Sequence, residues 1–272
     1  MGVYSIAITS GKGGVGKSLV AANLAVALGR AGRRVLLLDA DLGLGDVAAL
    51  LGIDAAHTVE AVLRGECAVA DALVEGPEGI WIIGASTEGD TGFWQHARVS
   101  PAAVGALTEL ETVLDYIIVD TGAGVDDRVL DFATAADTGY LVVTPEPTAV
   151  ADAYATLKVL LGRTMRGTAG LVVNMADNHE EAVELQTKFA ELVHRFLGAQ
   201  IDNCGYIPLD RYVRESVKHQ FPLVLSVPPS PAAEALAQIA GVVLQQSRSH
   251  VEAPEGFFSR LLACKATINR SP

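Results

Sequence analysis

The sequence predicts an α/β fold, a doubly wound, mostly parallel sheet flanked by helices. Three observations point there. Short apolar, β-branched runs alternate with stretches of helical period. The 272 residues are half hydrophobic yet only 6% aromatic, and their 27 glycines suit short βα turns and close helix packing. No segment repeats or falls to low complexity, so one principal domain is expected, residues 1–247.

In chain order, strands are expected at Val3 to Thr9, Arg34 to Asp39, Ile80 to Gly84, Tyr116 to Asp120, Tyr140 to Thr144, Gly170 to Asn174 and Asn203 to Ile207. These runs are apolar enough to be buried on both faces. Helices are expected at Lys17 to Ala31, Pro101 to Leu114, Asp126 to Ala135, Thr148 to Leu161, Glu180 to Leu197, Arg211 to His219 and Pro231 to Gln246. Periodicity lapses from Gln245 to Gly256, where Pro254 blocks helix continuation, so residues 248–272 are expected to form a linker and a separate C-terminal helix.

The formal net charge of −12 opposes attraction to a polyphosphate over most of the surface, so DNA is not the expected partner. Cys67, Cys204 and Cys264 are far apart and odd in number, which argues against a disulfide framework or a zinc site and fits a reducing cytosol. The opening "MGVYSIAITS" has neither a basic leader nor a long apolar core, and no apolar run reaches membrane-spanning length. A cytoplasmic chain, at most attached to a membrane surface, is expected.

"SGKGGVGKS", Ser10 to Ser18, fits G-x-x-x-x-G-K-[ST] between a buried strand and an amphipathic helix. Gly11, Lys12, Gly13, Gly14, Val15, Gly16, Lys17 and Ser18 are therefore the expected nucleotide cradle. Backbone N–H groups converge on an anion, the helix start adds partial positive charge, Lys17 reaches the β- and γ-phosphates, and Ser18 ligates Mg²⁺. Lys12 comes too early to duplicate Lys17. Its side chain either projects across the phosphates toward a nucleotide held by a second subunit or stands solvated on the surface. Asp39 and Asp41 follow the second strand at the carboxyl edge, sharing a face by strand alternation, and either serve the phosphates or cap the next turn. "TGAG", Thr121 to Gly124, is a glycine-rich segment suited either to two nucleotide-dependent arrangements or to an ordinary turn.

"KGGVGKS" resembles the deviant Walker A motif of the MinD/ParA ATPases. "VLLLDADLGLGDVAALLG", Val35 to Gly52, is similar to that family's second acidic motif, and "DYIIVDTGAGVDDRVLDFATAAD", Asp115 to Asp137, to its Walker B and switch region. "TPEPTAVADAYATLKVL", "LVVNMA" and "GYIPLD" are similar to its flagellar-number branch, FlhG or FleN. The resemblance spans roughly residues 3–245. It implies a homodimer formed with ATP and Mg²⁺, slow ATP hydrolysis, and a first lysine, Lys12, that contacts the partner's phosphates. Asp41 would orient the attacking water, Asp39 would support the magnesium shell, and Asp120 would hold Mg²⁺ through water. Asn174 and the backbone around Pro208 would hold adenine, although Asn174 at a strand end also suits a helix cap. The implied role is control of flagellar number or placement; the alternatives are MinD-like division-site positioning and, less favoured by the charge, ParA-like DNA partitioning. The GTPase FlhF and flagellar basal-body or regulatory proteins are the implied partners. Members of that branch usually carry an amino-terminal helix that stimulates FlhF; this sequence begins directly with its expected first strand, so stimulation of FlhF is not among the expectations.

"GFFSRLLACKATINR", Gly256 to Arg270, places Phe257, Leu261, Cys264 and Ile268 together on a helical wheel with Phe258 and Leu262 alongside. Arg260 and Arg270 lie outside that arc, and Lys265 falls within it. The pattern suits a membrane-surface helix whose Phe257, Phe258, Leu261 and Leu262 enter the headgroup boundary, on the inner face of the cytoplasmic membrane. It also suits a helix packed on the protein's own core.

Overall fold

The computed structural model describes residues 2–41, 47–55, 57–84, 99–163, 168–249 and 255–268, with the side chains at 249 and 265–268 excepted. Part of the second acidic motif (42–46), most of the linker, the Lys265 and Ile268 side chains and Arg270 lie outside the described residues. Strands β1 (Tyr4–Ser10), β2 (Val35–Ala40), β3 (Val74–Glu75), β4 (Trp81–Ile83), β5 (Tyr116–Ala123), β6 (Thr138–Val143), β7 (Thr168–Ala176) and β8 (Asp202–Pro208) form one sheet. Its order is β3-β4-β2-β5-β1-β6-β7-β8, parallel except for the β3–β4 pair. The helices are α1 (Lys17–Arg30), α2 (Val47–Leu50), α3 (Val59–Arg64), α4 (Val69–Ala72), α5 (Pro101–Glu111), α6 (Asp127–Ala135), α7 (Pro147–Gly162), α8 (His179–Leu197), α9 (Arg211–Lys218), α10 (Pro231–Ser249) and α11 (Phe257–Ile268).

Strand alternation divides the core. Tyr4, Ile6, Ile8, Leu37 and Ile118 join a cluster under α1, α8 and α10, whereas Ala7, Leu36, Leu38, Ile117 and Val119 join one under α3, α5 and α6. From β1 the chain moves to one side through β2, and from β6 to the other through β7 and β8. The order thus reverses beside β1, and doubly wound sheets hold ligands in the crevice at such a reversal, outside the carboxyl ends of the strands.

All seven expected strands and seven expected helices are present, with shifted ends. Among the described residues, the two-residue strand β3, the short helices α2, α3 and α4, and the single 3-10 turns at Pro77–Gly79 and Leu223–Leu225 were not expected. "TGAG" lies at the end of β5. Thr121–Ala123 continue β5, Ser10 pairs with Ala123, and Gly124 N–H donates to the Ser10 carbonyl at 2.8 Å.

Of the two surfaces the C-terminal helix could cover, this structure shows it docked on the protein itself. α11 packs against α5 and α6, where Phe257, Phe258 and Leu261 are fully buried and Leu262 is half-buried against the same cluster. The groove between those helices offers the apolar side chains a protein surface, so they need no lipid. Arg260 is buried too. Its Nη2 lies 2.9 Å from Asp137 Oδ1 and donates to Ser5 Oγ, while Nε donates to the Ala135 carbonyl. Glu111 Oε1 accepts the Phe258 N–H at 2.6 Å, capping a helix start whose N–H groups have no partner within the helix. Contact of these four residues with a bilayer requires α11 to leave its groove. Among the described residues, no helix is long and apolar enough to cross a membrane.

Candidate nucleotide site

The loop from Ser10 to Ser18 joins central strand β1 to α1 at the carboxyl edge of the sheet. Gly14 and Gly16 take φ of 81° and 88°, in the left-handed region open to glycine. A Cβ on Gly13 or Gly14 would meet open space, so the curled backbone faces a cleft of about 660 Å³ rather than packed protein. Lys12, Lys17, Ser18, Asp41, Leu50 and Val217 are among its walls. Successive N–H groups in such a curl, placed at a helix start, form an anion-binding concavity.

Three acids stand behind the loop. Asp39 and Asp120 are register partners on β2 and β5, and both are buried. Lys17, itself buried, lies 2.8 Å from Asp120 Oδ1 and 3.6 Å from Asp41 Oδ2. Burial pushes the Asp39 carboxyl up to about 7, and the charge of Asp120 adds to the push. Asp120 is raised as well, chiefly by desolvation, against the pull of Lys17. Asp39 proves to be a turn brace: Oδ1 accepts the Asp41 N–H at 3.0 Å and Oδ2 the Val47 N–H at 3.3 Å. Asp120 Oδ2 is buried without a hydrogen-bond partner among the described residues. A hard cation takes oxygen ligands, and this orphaned oxygen, on a carboxyl that also interacts with the Ser18 side chain, fits Mg²⁺ held directly or through water. Asp41 is partly exposed and reaches the cleft.

Lys12 does not stand free. Its Nζ lies 2.8 Å from Glu146 Oε2 and 3.2 Å from Thr148 Oγ1, at the start of α7 in the same chain. Neither partner was expected from sequence. The signal was the acid and hydroxyl flanking Pro147 in "TPEPT", where β6 ends on the same sheet edge as β1. Asn174 turns inward, its amide on the Val15 carbonyl, and caps no helix; Asn178 caps α8 instead. Pro208 ends β8 opposite Ala176, one residue beyond the Asn174–Ile207 pair.

A glycine nest opening a helix, a buried lysine at its end, and paired carboxylates on neighbouring strands define a P-loop NTPase. A match to the family described as "ParA: NUBPL iron-transfer P-loop NTPase" covers residues 3–244. The chain belongs to this ParA/MinD family of P-loop NTPases. It is 39% identical over 242 residues to the antiactivator FleN of Pseudomonas aeruginosa, covering 88% of this chain and 85% of that one. It is 33% identical to the flagellum site-determining protein YlxH of Helicobacter pylori, covering 94% and 89%. Among solved structures, the cell division ATPase MinD of Pyrococcus furiosus superposes with a TM-score of 0.74 at 26% identity, over 90% of this chain and all of that one. The MinD of Pyrococcus horikoshii, complexed with Mg-ADP, gives 0.72 at 28% identity, over 92% of this chain and all of that one.

Proposed function

We propose that this protein is a slow, Mg²⁺-dependent ATPase whose ATP-bound form dimerises, and that the switch regulates the number or placement of flagella at the membrane. The observation that carries the reading is the position of two lysines on one loop, Lys17 buried against Asp120 and Lys12 at the exposed rim. The flagellar names of the relatives FleN and YlxH support the cellular role.

The chemistry follows from charge. Hydrolysis of a phosphoanhydride needs positioned cations and an oriented water rather than covalent help. The loop N–H groups fix the phosphates, and Lys17 exchanges its contact with Asp120 for phosphate oxygens. Ser18 and Asp120 would hold Mg²⁺, which would supply positive charge to offset the negative charge that builds up during hydrolysis. Asp41 accepts a hydrogen bond from water at the cleft wall. Lys12 leaves Glu146 for the nucleotide of a second copy, so the pair closes only while the terminal phosphate is present. Release of α11 in the closed pair would expose Phe257, Phe258, Leu261 and Leu262 to lipid, and two such helices on one particle bind far better than one.

Chromatography with ATP, together with turnover, tests the core of this reading. Lys17→Ala is expected to abolish nucleotide binding. Lys12→Ala should keep monomer binding but lose dimer and turnover, and Asp41→Ala should accumulate an ATP dimer. Wild-type protein that remains a single copy with ATP at every concentration refutes the switch. Sedimentation with liposomes, with ATP, with ADP and after deletion of residues 256–272, tests the lipid step; equal binding by the truncated chain refutes it. The likeness to MinD structures favours a second reading, division-site positioning. Localisation to a flagellated pole rather than a septal pattern separates the two.

A further inference from the structure

We infer that Asn174 is a positioning residue for the phosphate loop: its buried amide ties the carboxyl end of β7 to the peptide that opens α1. The inference rests on the nucleotide reading above and concerns how the cradle is held.

From Val172 to Asn174 β7 pairs with β8 in register, Asn174 opposite Ile207, and it then slips, so that Ala176 lies opposite Pro208. Met175 is the extra residue, at a φ of 59°. That left-handed conformation is uncommon outside glycine, and strand bulges often re-aim a side chain near a site. Here the slip turns Asn174 inward. Asn174 Oδ1 accepts the N–H of Met175 at 2.9 Å, and Nδ2 donates to the Val15 carbonyl at 2.7 Å. The side chain is only 4% exposed, so both bonds are shielded from water.

The bond to Val15 acts on the cradle through peptide geometry. In a planar trans peptide the carbonyl of one residue and the N–H of the next point in opposite directions. Holding the Val15 carbonyl against Asn174 therefore fixes the direction of the Gly16 N–H, at the left-handed residue immediately before Lys17. Gly16 takes part a second way. A Cβ on it would overlap Asn174 Nδ2, so the amide lies in space that any other residue would fill. Glycine is required there both by its φ of 88° and by this close approach. A group that reads the base acts on ATP alone, whereas a group that shapes the cradle acts on phosphates with or without a base.

Calorimetry on the full chain with Mg²⁺, using ATP and base-free inorganic tripolyphosphate, separates these roles. Asn174→Ala is expected to weaken both ligands by the same factor, roughly tenfold, the usual scale for a lost buried hydrogen bond. Hydrogen exchange at Gly16, Lys17 and Ser18 in ligand-free protein is expected to quicken. Should the alanine variant fail to fold, Asn174→Ser, too short to reach Val15, gives the same measurements. A variant that weakens ATP while tripolyphosphate binding stays unchanged overturns the inference in favour of base reading. Unchanged affinity and exchange overturn it outright. Wild-type protein that binds neither ligand overturns the nucleotide reading and this inference with it.

Discussion

Asp39 and Asp120 sit side by side behind the phosphate loop, and Lys17 can neutralise only part of their charge. The folded Asp39 carboxyl, at about 7, lies above its ordinary 3.8. Its protonated form therefore carries the stability: the contribution is complete below 3.8 and is lost as pH rises through about 7. Asp39→Asn should flatten the dependence of ligand-free Tm on pH between about 4 and 7, the wild-type slope from this group being at most ~1.4 kcal/mol per pH unit. Asparagine keeps one of the two backbone bonds, to Asp41 or Val47, so absolute stability falls while the slope reports the titration. Equal slopes would place the titrating group elsewhere. Lys12 and Glu146 are different, because both side chains are largely exposed at 41% and 64%. Such a pair is worth ~0–1 kcal/mol, so Glu146→Gln should leave Tm almost unchanged. In the proposed switch it frees Lys12, and ultracentrifugation at limiting protein should detect a roughly twofold to fivefold gain in ATP-dependent dimer. A loss of dimer would instead give Glu146 a role in the closed pair.

The element whose surroundings the sequence left open is α11. Its apolar arc was legible, because Phe257 and Leu261 fall at helical spacing. Which surface would cover it was not, since lipid and protein cover an apolar stripe equally well. The deciding residues are distant in sequence. Glu111 ends α5, and Asp137 lies just before β6, where it also accepts Ser5 N–H at 2.9 Å and Ser5 Oγ–H at 2.6 Å. Arg260 reads in sequence as a headgroup cation; in the fold it is the buried partner of Asp137. Removing one member of a buried pair leaves the other uncompensated, at about 3–5 kcal/mol. Arg260→Ala should therefore destabilise the protein by about 3 kcal/mol in urea titration and, if lipid contact needs an undocked helix, raise liposome binding without ATP. Destabilisation with no gain in lipid binding would make α11 a core element and nothing more. Phe258→Ala, which removes a fully buried ring, should cost about 3–5 kcal/mol without opening a charged gap.

At the scale of the molecule, the central sheet was legible because its strands are apolar on both faces and their connecting helices carry a clear period, as in "VLLLDA" and "YIIVD". The four-residue helices α2 and α4 and the two-residue β3 are too short for any period to register. The phosphate loop was legible as a motif. Its supports, Glu146 on Lys12 and Asn174 on Val15, come within reach only because β6 lies beside β1 and β7 beside β6. Net charge yields a further prediction at this scale. Two copies at −12 each repel at separations up to about the Debye length, which shortens as salt is added, whereas the proposed contact between Lys12 and a partner's phosphate is short-ranged. Moderate salt screens the long-range repulsion and leaves a close ion pair less affected. The association rate of the ATP-bound protein should thus rise between about 25 and 150 mM salt, opposite to a complex steered by complementary charge. Stopped-flow energy transfer between labelled copies measures it. A rate that falls steeply with salt would mean that oppositely charged patches meet across the interface, and that the acidic surface as a whole does not govern the encounter.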